Sequence, residues 1–302
     1  MELTQENINK FIIKFFGEEH KNMNLNQEVI EHFLLPEKIY KILGIYGFGV
    51  SATVFRVINI DTNKEYAVRA VRLTNENVNN LRNEVAIQDR FSNYGLAPVI
   101  LNHWEGGQFY DGFYFFRIIM DTIDVTLDEY IKNNPRKLKQ LYKPLECLII
   151  KKYILDYPNS ILHGDMITNN IAILNDKQTL GFIDFGWSTK APSVLQLLDC
   201  ICLVNSLKGY NTRETQDFAR YIIKLYNKMF NVKLEYDNFI QVEVLNYAYS
   251  TNISTNRYLH SYRIPNYVIE NNPTLKGVKS FISPEDLFQV FPEITPPTVD
   301  NV

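Results

Sequence analysis

The sequence predicts an α+β protein built from two lobes, and three observations predict it. Short β-branched and aromatic runs broken by glycine follow Lys38, helical spacing dominates beyond Thr126, and 302 residues are too many for one small domain. A hydrophobic share of 46% against 22% charged residues supplies a core, which excludes disordered, collagen-like and coiled-coil classes.

In the first 37 residues Ile8, Phe11, Ile12, Phe15 and Phe16 fall at i, i+3, i+4, i+7 and i+8, one face of an amphipathic helix. Glu18 and Glu19 beside it offer an anionic lipid nothing to hold, so the helix is expected to pack on the next domain. Residues 1–37 thus read as a helical extension and 38–121 as the first lobe. Within that lobe Ile42 to Tyr46, Thr53 to Ile58 and Tyr66 to Leu73 read as three strands, with Asp61-Thr-Asn-Lys64 as a hairpin loop. Leu73 to Phe91 carries Val78, Leu81, Val85 and Ile87 between charges and predicts a helix. Strands around Val99 to Trp104 and Phe113 to Met120 complete the lobe. Residues 122–285 form the second lobe, in which Thr126 to Asn133, Leu138 to Tyr157 and much of Val194 to Phe230 read as helices. The aromatic-rich Tyr247 to Tyr267 reads as part of this packed helical lobe. Pro292, Pro296 and Pro297 mark 286–302 as a flexible tail.

Charge excludes several functions. With 31 basic against 34 acidic residues there is no positive field for nucleic acid or anionic lipid, so neither nucleic acid nor membrane is an expected partner. Cys147, Cys200 and Cys202 form no CxxC and have no histidine at ligand spacing, which points away from a disulfide framework or a zinc site and toward a reducing compartment. The polar start lacks the apolar core of a secretory signal, and Leu148-Ile-Ile is cut short by Lys151-Lys152 before it could span a bilayer. An intracellular, cytoplasmic protein is expected.

Three segments carry chemistry. Gly47-Phe-Gly49-Val-Ser-Ala52-Thr-Val54 fits a glycine hairpin whose backbone N–H groups can approach phosphate oxygens with no Cβ in the way. His163-Gly-Asp165-Met-Ile-Thr-Asn-Asn170 places a carboxylate and an amide five residues apart on one loop, where one can take a hydroxyl proton and the other can hold Mg²⁺. Ile183-Asp184-Phe185-Gly186 ends an apolar strand in a carboxylate suited to bridging metal and phosphate. Asp184 lies 14 residues beyond Asn170, and the hairpin Ile171 to Leu174 and Thr179 to Ile183 joins the two loops.

In this order and at these intervals, the segments resemble the protein-kinase-like superfamily over roughly Ile42 to Ser206. The resemblance implies a small antiparallel-sheet lobe with one main helix, a larger helical lobe, and a hinge near Asp121. It implies ATP and Mg²⁺ as cofactors, Asp165 as catalytic base, and Asn170 and Asp184 as metal ligands. Glu84 becomes the acid that pairs with the strand cation, Gly47, Gly49 and Ala52 the cover of the phosphates, and Val54 and Ala67 the packing against adenine. Asp121 would lie at the hinge beside the nucleotide.

Departures from the family pattern narrow the reading. Ala67-Val68-Arg69, 15 residues beyond Val54, puts arginine where the family has its phosphate-holding lysine. Gly164 replaces the arginine that would receive a phosphorylated activation loop, Ile167 replaces a lysine, and no Ala-Pro-Glu follows Asp184. The His-Gly-Asp loop is similar to atypical and small-molecule members: the small kinase of the tRNA threonyl-carbamoylation complex, lipopolysaccharide-core kinases and aminoglycoside phosphotransferases. The expected activity is phosphoryl transfer to Ser or Thr of a protein substrate. The alternatives are a pseudokinase scaffold or nucleotide sensor, which Arg69 suggests, and a kinase of small-molecule hydroxyls.

Overall fold

The computed structural model describes residues 2–23, 25–35, 38–49, 52–108, 113–155, 159–176, 178–192 and 196–230, together with Tyr236 and Phe291. The 247–267 stretch and the expected 286–302 tail, Phe291 apart, lie outside the described residues. Mixed α+β architecture is observed, and the chain divides into two compact units, residues 1–92 with 98–122, and 93–97 with 123–302.

The first unit is a five-stranded antiparallel sheet in the order β1-β2-β3-β5-β4, from β1 (Tyr40–Phe48), β2 (Ala52–Asn59), β3 (Glu65–Leu73), β4 (Ile100–Gln108) and β5 (Tyr114–Asp121). Helix α1 (Gln5–Phe16) is capped by Thr4, whose hydroxyl accepts from the Asn7 N–H, and ends where Gly17 adopts φ +100°. Its predicted apolar face, Ile8, Phe11, Ile12, Phe15 and Phe16, is wholly buried in one core with Phe55, Val57, Val68 and Phe115 of the sheet. The N-terminal residues therefore share a core with the strands.

A second helix, α2 (Gln27–Leu34), which the sequence reading leaves unassigned, covers the free edge of β1. Glu31 accepts from the Ile42 N–H at 2.8 Å, and Gln27 donates to the Ile42 carbonyl at 2.9 Å. Side chains thereby satisfy backbone groups that would otherwise template further pairing. Helix α3 (Val78–Ser92) lies in a separate core, with Leu81 and Val85 against Ala52, Val71, Phe116 and Ile118. It starts later than Leu73, since Leu73 is still paired with Tyr114 in the sheet.

The second unit opens with β6 (Ile123–Thr126) and α4 (Leu127–Asn133), joined by a Thr126/Glu129 capping box. The long helix expected from Leu138 begins instead as a 3₁₀ segment, Pro135–Leu141, and becomes α5 (Tyr142–Leu155), because Pro135 sets a tight first turn. Strands β7 (Asn159–Leu162) and β10 (Thr189–Pro192) pair antiparallel, as do β6, β8 (Ile171–Leu174) and β9 (Leu180–Phe182) in the order β6-β8-β9. The helical stretch after Val194 is two helices, α6 (Gln196–Lys208) and α7 (Arg213–Phe230), separated where Asn211 takes φ +51°. Phe291, within the expected tail, is buried, with the Lys228 ammonium 4.0 Å from its ring centroid. No helix among the described residues is long and apolar enough to cross a membrane.

Candidate functional site

In the first unit the register of the sheet fixes the nucleotide candidates. Arg69 pairs with Val54 on one side and Ile118 on the other, in the middle of the sheet. Its guanidinium reaches helix α3, where Nη1 donates to Glu84 Oε1 at 2.6 Å with side chains only 13% and 4% exposed. The two residues that the resemblance pairs are thus in contact. Ala52 and Ala67 are buried and Val54 half-buried. Gly47 lies near the end of β1, paired with Val54, and Gly49 follows the strand, its N–H donating to the Ala52 carbonyl at 2.8 Å. A Cβ at Gly47 would meet no atom of the described residues within 4 Å, so none of them demands a glycine there. Asp121 ends β5 opposite Tyr66, and its carboxylate accepts from Lys64 Nζ at 2.9 Å.

The second unit holds the other three candidates on connected backbone. Asn170 Nδ2 donates to the Asp165 carbonyl at 2.9 Å and to Asp165 Oδ2 at 2.8 Å. That orientation turns the Asn170 side-chain oxygen away from Asp165. The Ile183 N–H donates to the Asn170 carbonyl at 3.0 Å, which ties the Asp184 segment to the Asp165 loop through the β8–β9 hairpin. Asp184 is exposed and adopts φ +60°, a conformation Asp tolerates better than bulkier residues but that still carries strain.

His163 is fully buried and acts as a strut. Its Nε2 faces the Ile183 carbonyl at 3.1 Å, so this nitrogen carries the proton, while Nδ1 lies 3.4 Å from the Asp165 N–H. Burial lowers its pKa, keeping the ring neutral. Burial raises the Asp165 pKa, and the negative charge of Asp184 adds to that rise against the opposing hydrogen bond from Asn170. A carboxylate with heightened basicity, next to an amide that fixes its rotamer, can accept a proton from a bound hydroxyl.

The donor set also indicates which ion it suits. No group of three or more His, Cys, Asp or Glu side chains converges among the described residues, so a closed transition-metal cage is not present there. Asn170 and Asp184 offer two hard oxygen ligands, and Mg²⁺ is commonly held by one or two such ligands, with water and substrate phosphates completing its octahedron. The residues present therefore fit Mg²⁺ carried with a nucleotide.

Several residues that shape this loop escaped the sequence reading. Asp199 of α6 accepts from the His163 N–H at 2.8 Å and the Gly164 N–H at 3.0 Å, and it pairs with Lys152 of α5 at 2.8 Å. Ser188 donates to the His163 carbonyl at 3.0 Å. Thr168 joins Ser206 at 2.8 Å and Tyr210 at 3.1 Å, and Tyr210 in turn donates to Asp128 of α4. A signal existed for the first two: a lone Asp within Val194 to Cys202 and a Lys within an apolar helix are the residue types that stay buried only when paired. The chain matches no protein-family model and no curated protein sequence.

Proposed function

We propose that the chain is an ATP- and Mg²⁺-dependent phosphotransferase of two-lobed, protein-kinase-like fold, with Ser or Thr hydroxyls of a protein as acceptor. The observation that carries the reading is the junction of Asp165, Asn170 and the Asp184 segment, tied by the Asn170 amide and by the Ile183 N–H. Mg²⁺ supplies charge neutralisation at the β- and γ-phosphates.

Asp165 takes the proton of the acceptor hydroxyl as its oxygen bonds to the γ-phosphorus. The bond from that phosphorus to the β–γ bridging oxygen breaks, and ADP leaves. Asn170 holds the Asp165 carboxylate in one rotamer and offers its side-chain oxygen to the metal, with Asp184 as the second protein ligand. Arg69, kept in place by Glu84, serves the nucleotide phosphates as a fixed positive charge, and Gly47, Gly49 and Ala52 cover them. Ala67 and Val54 provide the apolar surface for adenine.

Transfer of labelled γ-phosphate in the presence of Mg²⁺, wild type against Asp165→Asn, tests the assignment. Undiminished activity in the variant would remove Asp165 as the base. Arg69 supports a second reading, a nucleotide sensor that binds partners without turnover, because its planar fork presents donors differently from a lysine ammonium. Offering protein, sugar and aminoglycoside acceptors in parallel separates a protein kinase from a kinase of small hydroxylic molecules.

A further inference from the structure

The second unit buries a lysine and an aspartate completely: the side chains of Lys152 and Asp199 are each 1% exposed, 2.8 Å apart. Burying two ions is expensive, and well-packed apolar residues of similar volume are often as stable or more so, so stability alone does not account for this pair. The pair's particular property is what Asp199 does with its remaining lone pairs. It receives the backbone N–H groups of His163 and Gly164, the two residues that immediately precede Asp165. The same dipeptide is gripped elsewhere, by Ser188 at the His163 carbonyl and by the Ile183 carbonyl at the ring. Gly164 turns through φ +83°, and a Cβ there would stand 2.4 Å from the Trp187 carbonyl oxygen. The direction in which the chain enters Asp165 is thus set by a frame whose only buried cation among these contacts is Lys152.

We propose that Lys152 is a positioning residue, which holds the Asp199 carboxylate in place so that it fixes the His163 and Gly164 amides and hence the aim of Asp165. It touches neither acceptor nor nucleotide, and it works through Asp199. Without the ammonium, the Asp199 side chain loses the partner that clamps Oδ2 beside the His163 N–H and is free to turn, releasing one amide. The inference rests on the phosphotransferase reading for its consequence, but the loop geometry it describes does not.

Two measurements separate the parts. In hydrogen exchange on the full chain, the His163 and Gly164 amides of the wild type should be protected, and Lys152→Met should speed their exchange about tenfold or more while the amides of α7 keep theirs. In steady-state transfer, Lys152→Met should lower kcat about tenfold or more with the KM for ATP within about twofold, and Lys152→Arg should recover most of the loss. A purely structural lysine would not give that split or that rescue. Wild-type amides at 163 and 164 that exchange as fast as an open loop overturn the proposal even if no variant folds, as does a Lys152→Met chain with unchanged exchange and kcat. If the wild type transfers no phosphate, the phosphotransferase reading fails, while the exchange result still decides whether Lys152 holds the loop.

Discussion

Arg69 Nη1 stands 2.6 Å from Glu84 Oε1 and ties the central strand β3 to helix α3 within the first unit. Both side chains are largely withdrawn from water, so deleting one removes an ion-pair partner from a buried charge. Glu84→Ala should cost about 3 kcal/mol in urea unfolding, the range found when one member of a buried pair is removed. Arg69→Lys keeps the charge but replaces a fork with a point donor, and γ-phosphate transfer should fall about tenfold if arginine is the working residue. A marked rise instead would favour the sensor reading.

Two glycines of the candidate site are glycines for different reasons, and alanine tells them apart. Gly164 has φ +83° and no room for a Cβ beside the Trp187 carbonyl, so Gly164→Ala should lower the melting temperature, with the left-handed backbone alone costing about 1 kcal/mol. No described residue crowds the place where a Gly47 Cβ would go, so Gly47→Ala should leave the melting temperature unchanged and weaken only nucleotide binding, read by titration with Mg·ATP. A Gly47→Ala chain that melts much lower would assign that glycine to the fold.

Local pattern made much of this legible. The i, i+3, i+4 face of α1, the strands of the sheet and the β8–β9 hairpin between Asn170 and Asp184 follow from periodicity and turn composition, which depend on near neighbours. The Arg69–Glu84 pair was expected only from the resemblance to kinase-like proteins, not from local pattern. Contacts between distant segments were not legible. Nothing around Gln27 announces that it will close the edge of β1 at Ile42, and nothing around Lys152 names Asp199, 47 residues on, as its partner. Even there the residue types carried a hint, because a charge inside an apolar helix has to be answered somewhere in the fold.

Phe11 shows why the N-terminal helix cannot be treated as an appendage. Its ring lies 5.4 Å from Phe55 and 6.3 Å from Phe115 of the sheet, and 4.7 Å from Phe15 of its own helix, and it is 1% exposed. Phe11→Ala should cost about 3–5 kcal/mol, the range for emptying an aromatic site in a packed core. Arg117 of β5 adds a polar tie by donating to the Phe33 carbonyl at the end of α2 and to the Gly106 carbonyl of β4. Removing residues 1–35 should therefore expose the sheet and yield an aggregating chain. A soluble, cooperatively melting truncation would show instead that the sheet stands without its helical cover.

Asp165 is where activity and stability should pull apart. Its pKa is raised by burial first and by the charge of Asp184 next, so the folded chain resists the ionised form more than the unfolded chain does. For an acid shifted upward, stability falls as pH climbs from the unfolded value, about 3.9, through the folded one, and stays lowered at neutral pH. Asn at this position keeps an acceptor for Asn170 and carries no charge. Asp165→Asn should therefore melt higher than wild type at pH 7, and the gap should close in acid below the unfolded pKa, where the wild-type carboxyl is protonated in both states. Transfer should drop about 10³-fold, within the range for loss of a general base, and the wild-type rate should rise with pH through an inflection above the ordinary aspartate value. An Asp165→Asn chain that melts no higher than wild type at pH 7 would show that the carboxylate is not held at a disadvantage, and one that also transfers phosphate at the wild-type rate would take Asp165 out of the reaction.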